Sequence, residues 1–264
     1  MSDKKIPQPN KNAVRILKEA IDNNERNKIK SILQDFAKKS DVNNINMSHS
    51  NNSMSIMEYA LKQDNFDMFE FMAEFLDINK IVQYAGDDTI LVSVIVDETP
   101  TVLERVKLVL KYFSLKNVNT EDVMGFNSLY YAVDRYIRQF SKKDYGENIY
   151  INLYKNVIIE LLNCGAKPDE HVLDHVIYDG KMQELLEIIN IHSKYRIVEE
   201  ALYGSVMCNN YDFVEYLIKY VKDINFLHLN HFGTKKRTIL YYAKKSDFRC
   251  DDIIELLESN GAHI

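Results

Sequence analysis

The sequence predicts an all-α solenoid of about seven helix-turn-helix units. Three observations predict it: apolar helices ending in a short polar coda recur along the chain, shorter helices with a common opener precede several of them, and glycine and proline are scarce. With Gly 8 and Pro 4 in 264 residues, folds built on many tight strand turns lose ground, as do enzymes built on glycine-rich nucleotide loops. Apolar residues make up 46% and charged residues 27%, the composition of a chain that buries a core.

The codas set the period. Ile29-Ile32-Leu33-Phe36 leads to Asp41-Val42-Asn43, Phe69-Met72-Phe75-Leu76 to Asp77-Ile78-Asn79, and Val106-Val109-Leu110-Phe113 to Asn117-Val118-Asn119. Ile158-Leu161-Leu162 then leads to Gly165-Ala166-Lys167-Pro168-Asp169, Phe213-Tyr216-Leu217 to Asp223-Ile224-Asn225, and Ile253-Leu256-Leu257 to Gly261-Ala262-His263-Ile264. Successive spacings are about 36, 40, 50, 56 and 38 residues, and the widest holds two units when the weaker pattern Val172-Leu173-Val176 with Leu185-Leu186-Ile189 is included. Residues 170–195 and 196–225 keep little beyond a helix pattern, so plain helical hairpins remain open there.

The first helices share an opener: Ser55-Ile56-Met57-Glu58-Tyr59-Ala60, Thr89-Ile90-Leu91-Val92-Ser93-Val94, Asn127-Ser128-Leu129-Tyr130-Tyr131-Ala132 and Thr238-Ile239-Leu240-Tyr241-Tyr242-Ala243. A Ser, Thr or Asn caps the helix, and a small residue stands where neighbouring helices approach closely. Opener and coda together resemble the ankyrin repeat, from Ala13 onward, although no opener carries that family's Pro or His. The resemblance implies a right-handed stack of helix pairs, a helical cap beginning near Lys11, and fingertip hairpins before the first helices. Residues 1–10 read as a disordered tail and 11–264 as the repeat domain. Between Ala132 and Val157 one unit is stretched, and continued helical periodicity on both sides predicts a helical-hairpin insertion at about 138–154, with its bend near Lys142 to Gly146.

Candidate chemistry is thin. His171 and His175 have the i, i+4 spacing of a zinc pair, but HVLDH lacks a Glu beside the first histidine and no third ligand is evident. His228 and His231 fall in a hairpin loop. Cys164, Cys208 and Cys250 form no CxxC pair, which argues for a reducing compartment, and no base pairs visibly with any of them. There is no phosphate-binding loop motif, so no cofactor and no metal are expected. Met1 to Asn10 is polar and leads into no signal-peptide core, and the longest apolar run, Thr89 to Val96, is too short to span a bilayer.

The net charge of −6 disfavours nucleic acid and anionic membrane as partners. Lys235-Lys236-Arg237, with Lys244, Lys245 and Arg249 near it, is the compact basic cluster and falls where the last fingertip belongs. The expectation is a monomeric, non-enzymatic, cytoplasmic protein-interaction module. Richness in Asn, Lys, Ile and Tyr makes it similar to ankyrin proteins of poxviruses and of effector-secreting intracellular bacteria, which implies a virulence role and a host protein as partner in the host cytoplasm. A cysteine-dependent hydrolase hidden in a diverged repeat and a eukaryotic cytosolic adaptor are the alternatives. The resemblance places recognition on exposed first-helix and fingertip positions of a concave face. These include Glu58, Tyr59 and Lys62, Phe126, Tyr130, Tyr131 and Arg135, and Tyr241, Tyr242 and Lys245. Tyr130 and Tyr241 stand where the family buries a His and are expected to pack, leaving Tyr59, Tyr131, Arg135, Tyr242 and Lys245 as the partner-binding candidates.

Overall fold

The computed structural model describes residues 11–37, 47, 54–80, 89–141, 149–178, 183–193, 197–229, 236–245 and 250–264. Among them, helices pair in sequence order. The first pairs are α1 (Lys11–Asp22) with α2 (Arg26–Ala37), α3 (Ile56–Lys62) with α4 (Phe66–Ala73), and α5 (Ile90–Val96) with α6 (Val102–Tyr112). After a single turn, α7 (Leu115–Val118), come α8 (Ser128–Ser141) and α9 (Ile149–Asn163), then α10 (Glu170–Tyr178) with α11 (Gln183–His192) and α12 (Val198–Met207) with α13 (Tyr211–Ile218). An antiparallel hairpin, β1 (Leu227–Leu229) against β2 (Lys236–Thr238), precedes the last pair, α14 (Ile239–Lys245) and α15 (Asp251–Ser259). The two weakly patterned stretches are therefore both helix pairs. At 14 and 15 residues α8 and α9 are the longest of these helices, and the bend expected near 142–146 lies outside the described residues, as does the tail at 1–10.

The chain forms two compact units: Met1–Ala132 with Asn152–Val157, and Val133–Ile151 with Ile158–Ile264. In the first unit, the openers act as caps. Ser55 Oγ accepts the Glu58 N–H at 3.1 Å, and Thr89 Oγ1 accepts that of Val92 at 3.3 Å. Whereas α5 ends on Asp97 in extended backbone (φ −80°), the first helices α1 and α3 are each followed by a residue in the left-handed region, Asn24 (φ 56°) and Asp64 (φ 52°). The next residue's N–H then reaches back to the last turn, Glu25 to Ala20 O at 2.8 Å and Asn65 to Ala60 O at 2.9 Å. Asn and Asp tolerate this conformation better than other side chains with a Cβ. Asn65 also donates across to Ile21 O at 2.8 Å, tying the turn of one repeat to the turn before it.

Deeper in the same unit, Arg105 of α6 is only 3% exposed, and its guanidinium spans two turns. Nε donates to Asp64 Oδ1 at 3.0 Å and Nη1 to Asp97 Oδ2 at 2.7 Å, while Thr101 Oγ1 donates to the same Asp64 oxygen at 2.7 Å. Burial works to raise the Asp64 carboxyl, but the hydrogen bonds from Arg105 and Thr101 outweigh it and hold the group below the usual carboxylate range. The coda asparagine has a comparable task. Asn79 donates Nδ2–H to Tyr112 O at 3.1 Å and accepts the Ser114 N–H at 2.8 Å, so it bridges to the backbone of the following coda.

The second unit repeats both devices. Asn209 (φ 57°) closes α12, Asn210 N–H returns to Ser205 O at 2.9 Å, and Asn210 Nδ2 donates to Ile177 O at 2.8 Å. Asn225 donates to Gly261 O at 3.2 Å and accepts the His263 N–H at 2.8 Å, the same bridge that Asn79 makes. The Gly-Ala codas have a turn-level cause. Gly165 (φ 91°) and Gly261 (φ 87°) end their helices in the left-handed region, and the N–H groups of Ala166 and Ala262 return to Leu161 O and Leu257 O at 2.9 and 3.0 Å. Both alanines are buried.

Candidate functional site

The loop before α8 is held from inside by one carboxylate. Asp122 Oδ1 accepts the backbone N–H of Met124 at 2.7 Å and of Phe126 at 3.0 Å, and the Gly125 N–H donates to Asp122 O at 3.0 Å. The other carboxylate oxygen accepts the Tyr131 hydroxyl. Burial favours the neutral acid, yet the Tyr131 hydroxyl and the N–H groups of Phe126, Met124 and Gly125 prevail and hold Asp122 below its ordinary value. Behind it, Phe126 lies flat on Tyr130 with ring centroids 3.9 Å apart, and Tyr131 meets both edge-on. Asn127 caps α8 by accepting the Tyr130 N–H at 3.0 Å. The result is a braced finger whose tip, Val123 and Met124, stands 70% and 68% exposed.

The last repeat carries a second finger, the β1–β2 hairpin, in which His228 faces Arg237. The His228 ring stacks on Tyr203 at 3.9 Å, and its Nε2 lies 2.6 Å from Glu200 Oε2. That contact holds the Glu200 carboxyl below its ordinary value against the opposing effect of burial. Tyr242 donates its hydroxyl to His228 O at 3.1 Å. Tyr242 and Tyr131 occupy the same place in their openers, the residue before the small one, and each uses its hydroxyl to hold the finger of its own repeat.

This arrangement redistributes the sequence candidates. Tyr131 is half-buried and braces Asp122. Tyr242 is 9% exposed and turned inward, whereas Tyr241, expected to pack, is half-exposed, so the burial expected for that pair is reversed. The hairpin backbone at His228 supplies an interior acceptor, and the hydroxyl that reaches it is that of Tyr242. Tyr59 is half-buried with its hydroxyl 3.2 Å from both Asp22 oxygens and Lys18 over its ring, so it links α3 to α1. Glu58, among the wider set, is 3% exposed and accepts from Ser93 Oγ at 2.5 Å. Arg135 is half-exposed on α8, and Lys245 is exposed at the end of α14. Val123 and Met124 escaped the sequence reading; their signal was the Asp122-x-x-Gly125 turn.

Two of the histidines suspected of chemistry have carboxylate partners, His228 as above and His175 on α10. His175 Nε2 lies 3.4 Å from Asp134 Oδ1, and among the described residues no cluster of three or more His, Cys, Asp or Glu is placed to hold a metal. His231, Lys235 and Arg249 lie outside the described residues. Cys164 and Cys208 are exposed. Desolvation of the Cys208 thiol and then the nearby Asp174 carboxylate push it above its ordinary value, away from the reactive thiolate. No described helix is long and apolar enough to cross a membrane.

A stack of helix pairs with fingers before the first helices and polar codas after the second defines the ankyrin-repeat architecture. The ankyrin repeat domain of Bcl-3, a unique member of the IkappaB protein family, superimposes on 92% of this chain and 97% of its own, with a TM-score of 0.55 and 12% sequence identity. The chain thus has the ankyrin-repeat fold. EF0377, an ankyrin repeat protein, covers 69% of this chain at a TM-score of 0.34 and 18% identity. No protein-family model matches the sequence, and no curated protein sequence matches it either.

Proposed function

We propose that this chain is a non-enzymatic protein-interaction module that grips a partner protein with the fingers and exposed first-helix residues of its repeats. The observation that carries the reading is the finger at 120–126. A carboxylate, four hydrogen bonds and three aromatic rings are spent on rigidity, while two apolar side chains are held out in water. Pre-organised apolar tips bind at low entropic cost, because the loop is ordered before the partner arrives. Arg135 and Lys245 extend the contact surface along their first helices, and Tyr131 supports it through Asp122. The compositional likeness to poxviral and bacterial-effector ankyrin proteins supports a host protein as partner and the host cytoplasm as the place of action.

The test is affinity capture from cell extract with the full chain, read by quantitative mass spectrometry. Val123→Ser with Met124→Ser is expected to lower recovery of the proteins bound by wild type by about fivefold or more, as loss of central apolar anchors does. Equal recovery with both baits counts against the finger. Replacing Cys164, Cys208 and Cys250 by Ser is expected to leave recovery and cellular effect unchanged; loss of the effect in a folded variant would favour a thiol enzyme.

A further inference from the structure

The last repeat presents a cationic strip in a chain of net charge −6. The Arg237 guanidinium stands 5.1 Å from the centre of the Tyr241 ring, and Lys245 follows Tyr241 by one helical turn on the same face of α14. Lys236, Arg237 and Lys245 are all exposed, and among the described residues none of them meets a carboxylate. Their neighbour Lys244 does, with Nζ 2.5 Å from Glu258 Oε1. Uncompensated cations beside a half-exposed aromatic ring are a recognition surface for anions, since the ring covers apolar backbone while the charges flank it.

We infer that this strip, Arg237, Tyr241 and Lys245 with Lys236 beside it, docks an extended acidic segment of the partner protein. One helical turn plus the cation–ring spacing sets the two charges on the order of 10 Å apart, which an extended peptide covers in about three residues. In a polyproline-II-like extended segment, with three residues per turn and a rise of about 3.1 Å per residue, two carboxylates in a Glu-x-x-Glu spacing fall on one side and reach Arg237 and Lys245 together, with the intervening peptide lying on Tyr241. Nucleic acid fits less well, because its closely spaced phosphates call for a longer run of cations than this strip presents.

The inference rests on the binding-module reading, and its test separates the two. A fluorescein-labelled peptide of repeated Glu-Gly-Gly is titrated with the full chain and followed by anisotropy, beside the same peptide with Gln for Glu and a labelled duplex DNA. The Glu peptide is expected to bind, the Gln peptide to bind at least about tenfold more weakly, and Arg237→Glu with Lys245→Glu to cost a similar factor at unchanged melting temperature. Lys222→Glu, an exposed lysine outside the strip, is expected to change nothing. Equal binding of the two peptides, indifference to the double substitution, or tighter binding of the DNA overturns the acidic-segment assignment. If that happens while Val123→Ser with Met124→Ser still abolishes protein capture, the module reading stands alone. If capture is insensitive to the finger while the Glu peptide behaves as expected, the strip stands and the finger does not.

Discussion

Removing the Arg105 side chain tests how neighbouring repeats are coupled. In the folded chain its guanidinium makes charge-assisted hydrogen bonds of 3.0 and 2.7 Å to Asp64 and Asp97, and the stem is buried. Hydrogen bonds to charged groups contribute about 1.5–3 kcal/mol each. Here Asp64 and Asp97 are 47% and 36% exposed, so water replaces part of what Arg105 gave them and the lower half of that range applies. Counting both bonds at that end and adding the lost burial of the aliphatic stem, Arg105→Ala is expected to cost about 4–6 kcal/mol in urea unfolding followed by circular dichroism. Asp64→Asn keeps a residue tolerant of the left-handed turn, and a double-mutant cycle with Arg105→Ala is expected to give a coupling of about 1 kcal/mol. The folded Asp64 carboxyl lies below its unfolded value of 3.8, so its contribution is present above that pH and lost as pH falls through the folded value. The Arg105→Ala penalty therefore shrinks in acid below pH 3.8. A cost under about 0.5 kcal/mol, or a coupling indistinguishable from zero, refutes the coupling argument.

Asn79→Ala and Asn225→Ala each remove a two-bond bridge between codas and are expected to cost about 1–2 kcal/mol although both residues lie near the surface, measured by the same unfolding assay. Tyr154→Phe deletes the hydroxyl that reaches the Ile95 carbonyl at 3.0 Å in the core and is expected to lower stability by about 1 kcal/mol. Tyr131→Phe removes one donor from Asp122, so the carboxyl titrates closer to its ordinary 3.8 by NMR, and amide exchange in residues 122–126 speeds up. His228→Phe keeps the stack on Tyr203 but drops the contact to Glu200, whose depressed carboxyl returns toward 4.5.

Much of this architecture was legible because repeat chemistry is local. Openers were readable as caps since Ser55, Thr89, Asn127 and Thr238 meet N–H groups only three residues away. Gly165 and Gly261 were readable as helix stops for the same reason. The turns at Asn24, Asp64 and Asn209 obey equally local rules, yet Asn and Asp are common on surfaces and do not announce a left-handed residue as Gly does. Long-range assignments fared worse. Whether Tyr241 or Tyr242 turns inward depends on an acceptor fourteen residues before Tyr242, the His228 carbonyl, and Glu58 is interior because Ser93 of the next repeat receives it. The exposed tip Val123-Met124 was hidden because apolar residues default to core in any reading of periodicity.

The most direct test of the central claim is site-specific photo-crosslinking of the full chain in cells, with a benzophenone side chain placed singly at Met124, Lys245, Glu104 or Glu255. Met124 and Lys245 stand exposed on a finger and a first helix, while Glu104 and Glu255 stand exposed on the second helices α6 and α15. The account predicts that Met124 and Lys245 capture the same protein and that Glu104 and Glu255 do not. A partner captured only from Glu104 or Glu255 would contradict it.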